Sequence, residues 1–187
     1  MNVMIVGVGG QGTLLASRIL GNIVIDLGYD VKVSEVHGMS QRGGSVVTYV
    51  KYGKEIYSPI IDKGEADVIL AFEMLEAYRA LPYLKKDGKI IANTQQINPM
   101  PVITGALEYP KDIDKKLSNL VNTKFVDALN LAKEAGNIKA VNVVLIGVFA
   151  KESNIEYEKW IEVIKKTVPA KLLDVNLKAF DLGYNLK

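Results

Sequence analysis

Residues 7–12 read GVGGQG, directly after the apolar run Val3–Val6 and directly before a stretch with helical periodicity. No other feature restricts the fold so strongly. A strand must turn sharply into a helix here. Glycine permits that turn and a close backbone approach, and the turn leaves amides exposed at the helix N-terminus. The continuous apolarity of Val3–Val6 predicts a central parallel strand buried on both faces. From Thr13 to Leu27 the apolar residues Leu14, Leu15, Ile19, Leu20, Ile23, Val24 and Leu27 cover most of a helix, leaving Arg18, Asn22 and Asp26 on one thin stripe. Gly28 is placed to end it. Val31–Val36 reads as a second strand, so the opening predicts a Rossmann-like βαβ unit with a right-handed crossover.

The rhythm then breaks. Residues 37–44, HGMSQRGG, are too short and glycine-rich for a crossover helix. Ser45–Lys51 alternates and is β-branched, Gly53-Lys54 can turn, and Glu55–Tyr57 can return as a short strand. The expectation is a hairpin after the second strand. Strands are then predicted at Val68–Ala71, Lys89–Ala92 and Lys124–Val126. Helices are predicted at Glu73–Leu84, stopped early by Pro82, at Ala128–Ala135, ended by Gly136, and near Val141–Lys151, Tyr157–Thr167 and Ala170–Phe180. Pro99, Pro101 and Pro110 make residues 99–122 irregular. The predicted fold class is α/β, a mainly parallel twisted sheet with helices on both faces. Its 187 residues are expected to form a single domain, 1–187.

Composition narrows the function. Lys plus Arg number 23 and Asp plus Glu 21, a formal charge of +2, which gives no reason to expect nucleic acid or a membrane surface as partner. The chain has no cysteine, so disulfides, thiolate-ligated iron–sulfur clusters and a catalytic thiol are excluded on it. A single histidine, His37, cannot build a histidine-rich metal site. Residues 1–9 lack a basic region and cleavage site, and Val141–Ala150 is too short to span a bilayer; the expectation is a cytoplasmic protein without a signal peptide.

Two segments carry the candidate site. Gly7, Gly9, Gly10, Gln11 and Gly12 can hold a phosphate-bearing ligand, or can simply allow a close strand–helix crossing. Glu35 stands where a ribose-binding acid would be, but a solvent or loop contact explains it better. Ser40, Gln41, Arg42, Gly43 and Gly44 form the second segment, with Ser45 beside it. The Arg42 guanidinium suits a phosphate or carboxylate, or an acid at an interface. No catalytic residue and no metal ligand is expected. His37 reads as a loop hydrogen-bonder, Trp160 as core, Asn142 as a pin at the start of its helix, Gly147 as a close helix contact, and Glu73 with Glu76 as a solvated helix face.

The segments GVGGQGTLLASRIL (7–20) and SEVHGMSQRGGSV (34–46) together resemble the gamma-type domain of the 2-oxoacid:ferredoxin oxidoreductases. Within that family they are most similar to the beta subunits of the indolepyruvate enzymes. AVNVVLIGVFAK (140–151) and NLKAFDLGY (176–184) fit the same pattern. The resemblance implies oxidative decarboxylation of a 2-oxoacid, with coenzyme A as acyl acceptor and ferredoxin as electron acceptor. It also implies a large alpha subunit carrying thiamine diphosphate and the iron–sulfur clusters. This chain would bind no cofactor alone and would be inactive alone. Its glycine turn and the 40–44 loop would face the partner and help hold coenzyme A. Rival readings are a gamma subunit for pyruvate, 2-oxoglutarate or a branched-chain 2-oxoacid, a free-standing nicotinamide-nucleotide protein, a ubiquitin-activating type adenylyltransferase, and a purely structural module.

Overall fold

The computed structural model describes residues 1–38 and 43–186. The elements follow the order β1 (Asn2–Val8), α1 (Thr13–Asp26), β2 (Asp30–His37), β3 (Ser45–Gly53), β4 (Ala66–Ala71), α2 (Met74–Ala80), β5 (Leu84–Asn93), α3 (Met100–Ile103), α4 (Ile113–Leu120), β6 (Asn122–Val126), α5 (Ala128–Ala135), α6 (Val141–Lys151), α7 (Tyr157–Thr167) and α8 (Leu173–Tyr184). Short 3-10 turns at Leu81–Tyr83, Ile138–Ala140 and Ala170–Leu172 lead into β5, α6 and α8.

The six strands form one sheet in the order β2-β3-β1-β4-β5-β6. β1, β4, β5 and β6 are parallel neighbours, while β3 runs antiparallel to both β1 and β2. The continuous apolar runs are explained by burial on both faces. Val3 and Ile5 of β1, Val68 and Leu70 of β4 and Ile91 of β5 belong to one core. Met4, Val6, Ile69, Ala71, Ile90 and Ala92 belong to the other. Helix α1 packs on the first face, together with α5–α8; α2 and α4 cover the second. Arg18, Asn22 and Asp26 are exposed, as the thin polar stripe predicts. Helix α6 is buried at every residue from Val141 to Ala150, which accounts for its lack of a polar face.

Four expectations need correction. The hairpin after the second strand is made by β2 and β3 themselves, and Glu55–Tyr57 is not a strand. Pairing β3 on both edges satisfies more backbone than a short return strand would, and the Ile56 amide is taken instead by Asp30 Oδ2 at 2.8 Å. As a result β3 stands between β1 and β2, so the opening unit does not join neighbouring strands. The helix expected to reach Leu84 ends at Ala80, because Pro82 turns the chain into a 3-10 segment and β5 starts at Leu84. The last helix spans Leu173–Tyr184 rather than Ala170–Phe180, its entry being a 3-10 turn after Pro169. Residues 99–122 hold two short helices, α3 and α4.

Helices α6 and α8 meet at glycines. A Cβ on Gly147 would collide with the Phe180 carbonyl and lie 2.8 Å from the Tyr184 amide, and one on Gly183 would collide with the Val144 carbonyl. The expected close contact at Gly147 is therefore backbone against backbone. Trp160 is fully buried beside it, edge-on to Phe149 with ring centroids 6.1 Å apart.

Candidate functional site

The carboxyl ends of β1, β4, β5 and β6 share one edge of the sheet, where an open α/β fold places its ligands. The start of β3 and the end of β2 reach the same edge. The chain leaves β1 for the β2 side and returns to β4 on the other side, so the topological switch lies beside the glycine turn.

The turn is fixed by side chains from three places in the chain: Gln11 within it, Gln95 just after β5, and Asn142 of α6. Gln11 folds back, accepting from the Val8 amide at 2.8 Å and donating to the Phe72 carbonyl at 2.9 Å and to Gln95 Oε1 at 3.3 Å. Its amide thus ties the end of β1 to the end of β4. Gly12 caps α1 in the left-handed region, φ 84°, and a Cβ there would lie 2.5 Å from Asn142 Nδ2. Asn142, at the start of α6, donates to the Gly12 carbonyl at 3.2 Å and also accepts from the Val143 amide at 2.9 Å. It pins its own helix as expected, and the glycine turn as well.

On the β2 side of the turn lies a cleft of ≈ 380 Å³ lined by Gly9, Gly10, Gly12, Thr13, Leu14, Glu35, His37 and Val46. Glu35 Oε2 accepts from Thr48 Oγ1 at 3.1 Å and Thr13 Oγ1 at 3.4 Å. One wall of the cleft is therefore the α1 N-terminus and the other a carboxylate held by two threonines. His37 is exposed, and its Nδ1 lies 3.0 Å from the Gly38 carbonyl oxygen, the local loop contact expected of it.

The same edge holds a second polar cluster. Glu73 and Glu76 are 1% and 5% exposed, so the solvated-face reading of this pair is overturned. Glu73 caps α2: its Oε2 accepts from the Glu76 amide at 2.9 Å, and its Oε1 from the Ile97 amide at 3.0 Å and the Tyr109 hydroxyl at 2.6 Å. Burial, then that bond to Glu73, push the Tyr109 phenol well above the usual tyrosine range. Glu76 Oε1 pairs with Arg79 at 2.6 Å, and its Oε2 accepts from Ser45 Oγ at 2.6 Å. Asn93, fully buried, donates to the Phe72 carbonyl and accepts from the Ala128 amide.

A model of the pyruvate ferredoxin/flavodoxin oxidoreductase family matches residues 2–186. The chain belongs to this family. Among its relatives, the indolepyruvate oxidoreductase subunit IorB of Pyrococcus horikoshii is 47% identical, covering 97% of this chain and 93% of that protein. The subunit of the same name from Thermococcus kodakarensis is 46% identical over the same shares of both chains. The crystal structure of pyruvate oxidoreductase subunit PORC from Thermotoga maritima superposes with a TM-score of 0.75 at 19% identity, covering 98% of this chain and 94% of that one. A 2-oxoglutarate:ferredoxin oxidoreductase chain from Magnetococcus marinus gives 0.68 at 18% identity, covering 98% of this chain and 30% of its own. These two structures share the fold.

In this family member the structure brings Gly7, Gly9, Gly10, Gln11 and Gly12 to one edge with Gly43 and Gly44. The Gly9 amide donates to the Gly44 carbonyl at 2.8 Å, and the Gly43 amide to the Gly9 carbonyl at 3.4 Å. Ser40, Gln41 and Arg42 lie outside the described residues. Sequence reasoning passed over Thr48, Asn93, Gln95 and the roles of Glu73 and Glu76. One signal was available for the last two. Glu73, Glu76 and Arg79 recur every three residues directly after a buried strand, which puts them on one side of a short helix at the sheet edge.

Proposed function

We propose that this chain is the small subunit of an indolepyruvate:ferredoxin oxidoreductase, forming the acyl-coenzyme A from an aryl pyruvate and reducing ferredoxin. The observation that carries the reading is near-half identity, across nearly the whole chain, to subunits bearing the indolepyruvate name.

The residues present do not fit the redox groups such an enzyme uses. Without cysteine there is no thiolate to hold an iron–sulfur cluster, and among the described residues no group of three or more His, Cys, Asp or Glu could hold a metal ion. In this reading thiamine diphosphate and the clusters belong to a large alpha subunit, which is also where ferredoxin delivers its oxidising equivalents. This chain's part is to complete the active site or the coenzyme A site. The cleft beside Gly9–Thr13 offers amide donors on one wall and the Glu35 carboxylate on the other. That combination suits a group carrying an oxygen acceptor next to a hydroxyl or N–H donor, whether from coenzyme A or from the partner's backbone. Gly7, Gly9, Gly10, Gln11 and Gly12 shape this surface, and Gly43 and Gly44 adjoin it through their bonds to Gly9; in this reading Ser40, Gln41 and Arg42 contribute to holding coenzyme A.

The test is reconstitution with the large subunit. The chain alone is expected to give no viologen or ferredoxin reduction with indolepyruvate and coenzyme A, and the pair to give turnover. Activity of the chain alone overturns the assignment; turnover only with pyruvate, 2-oxoglutarate or a branched-chain acid reassigns the substrate. In the same assay Arg42→Ala separates two roles. If Arg42 reads coenzyme A, the coenzyme A requirement rises about tenfold or more, as for loss of a charged hydrogen bond. If it pins the interface, subunit affinity falls while that requirement stays unchanged.

A further inference from the structure

Residue 45 is where the 38–44 connection re-enters the sheet, and it is strapped from two directions. Its backbone stands opposite Val8 in the β1–β3 ladder, and the preceding Gly43 and Gly44 exchange backbone bonds with Gly9. Its side chain points to the other side of the switch, donating to Glu76 Oε2 at 2.6 Å. Glu76 is held in turn: its other oxygen pairs with Arg79, and its amide is bound by the N-cap carboxylate Glu73. A carboxylate 5% exposed is costly unless paired and hydrogen-bonded. Arg79 on one oxygen and Ser45 on the other satisfy it. Ser45 itself is solvent-facing, so its own hydroxyl could bond water instead; it is the carboxylate, not the serine, that needs the bond. A buried charge therefore spends one of its two oxygens on holding an exposed residue at the root of a glycine-rich connection.

We propose that Ser45 and Glu76 are positioning residues for the assembled oxidoreductase. Their bond locks residues 43–45, and through them the Gly9 turn, into the register that the partner subunit binds. The inference rests on the reading given under Proposed function. Without the bond, Gly43 and Gly44 keep their backbone contacts but regain freedom, and association must order them again. The cost then falls on assembly, while chemistry in the assembled complex is spared.

The experiment reconstitutes the wild-type, Ser45→Ala, Ser45→Thr, Glu76→Gln and Ser45→Ala/Glu76→Gln chains with the large subunit. It measures subunit Kd, kcat at saturating partner, and the Tm of each chain alone. Ser45→Ala is expected to raise Kd several-fold, up to about tenfold, as for association having to order about one residue's backbone again. It should leave kcat within about twofold; because one oxygen of the buried Glu76 carboxylate also loses its donor, Tm falls by roughly 2–12 °C, so the split between Kd and kcat and the threonine rescue carry the test. Threonine restores the hydroxyl and should restore Kd. The double variant should be no worse than the poorer single one, because both remove the same interaction. A wild-type Kd in Ser45→Ala, a threonine variant as poor as alanine, or additive losses in the double variant each overturn the clamp while the functional reading stands. If the wild-type pair itself gives no ferredoxin reduction, the functional reading fails, and the inference with it.

Discussion

The α6–α8 contact and the Glu73–Glu76–Asn93 cluster at the carboxyl edge of the sheet are both buried, yet they are held by opposite means. At the helix contact the closest approaches are backbone against backbone. Gly147 faces the backbone of Phe180 and Tyr184, Gly183 faces that of Val144, and Trp160, Phe149 and Phe180 fill the surroundings. At the sheet edge the ends of β1, β4 and β5 and the start of β3 are tied together by Gln11, Glu73, Glu76 and Asn93, each of which hydrogen-bonds the backbone or a hydroxyl of a distant segment. The first region tolerates no added volume, and the second tolerates no lost acceptor. Shape fixes the one; hydrogen-bond bookkeeping fixes the other.

The largest expected effect probes the first region. Gly147→Ala or Gly183→Ala adds one methyl group where the opposing atoms are backbone, so no rotamer change can relieve it. Each should destabilise the chain by upwards of about 3 kcal/mol. That corresponds to a fall in Tm of roughly 6–12 °C for a chain of this size. A loss below about 1 kcal/mol by chemical denaturation would mean the helices can slide apart freely, and the contrast with the polar edge would collapse.

The contrast also explains what was legible in the sequence. Helices α6 and α7 fall at the bounds expected from their apolar pattern, and β1 and β4 follow from continuous apolar runs, because burial of carbon leaves a periodic trace. The glycine turn was legible for the same reason, since its spacing reports a backbone constraint. The polar edge leaves no such trace. Gln11 reads like a ligand-binding residue in GVGGQG, and only the fold shows its amide spent on Val8, Phe72 and Gln95. Glu73 and Glu76 look like surface charges because partners such as Ser45, Ile97 and Tyr109 lie 24–36 residues away in sequence. The place of β3 between β1 and β2 was hidden too. Alternation marks a strand but does not name its neighbours.

The second prediction breaks the polar side of the comparison. Glu73→Ala removes an acceptor from three donors at once: the Glu76 and Ile97 amides and the Tyr109 hydroxyl. Buried donors left unpaired cost the chain about 2–3 kcal/mol. Glu73→Gln should recover only part of this. One of its two terminal atoms is a donor, and of the three partners only the Tyr109 hydroxyl can turn to accept. Spectrophotometric titration supplies a local check. With the Glu73 charge gone, Tyr109 should ionise at lower pH than in the wild type. An unchanged Tyr109 titration would mean that burial alone holds the phenol protonated.

The smallest effect sharpens the comparison at the opposite, amino-terminal edge of the sheet, where a half-buried tyrosine stands outside any such network. Among the described residues the Tyr52 hydroxyl has only the Met1 sulfur as partner, at 2.8 Å, and its ring is tilted against Tyr29 at 5.8 Å. Burial, with a smaller contribution from Tyr29, pushes its phenol up to about 12. An unfolded tyrosine ionises near about 10. Between these values the unfolded chain releases its proton first. Stability from this group is therefore complete below pH of about 10 and is lost as pH rises toward about 12. Other tyrosines and the lysines titrate in the same window, so the informative quantity is a difference. Denaturation of wild type and Tyr52→Phe, near pH 9 and again near pH 11, should show a smaller alkaline loss in the variant, by less than about 1 kcal/mol because the group is partly solvated. At pH 9 the two should be nearly equal, since phenylalanine keeps the ring and a thioether is a weak acceptor. If the variant were instead destabilised at pH 9 as strongly as Glu73→Ala, the amino-terminal edge would depend on polar pairing as heavily as the carboxyl edge does. The polar network would then be a general property of the sheet ends, with no special tie to the side that carries the glycine turn.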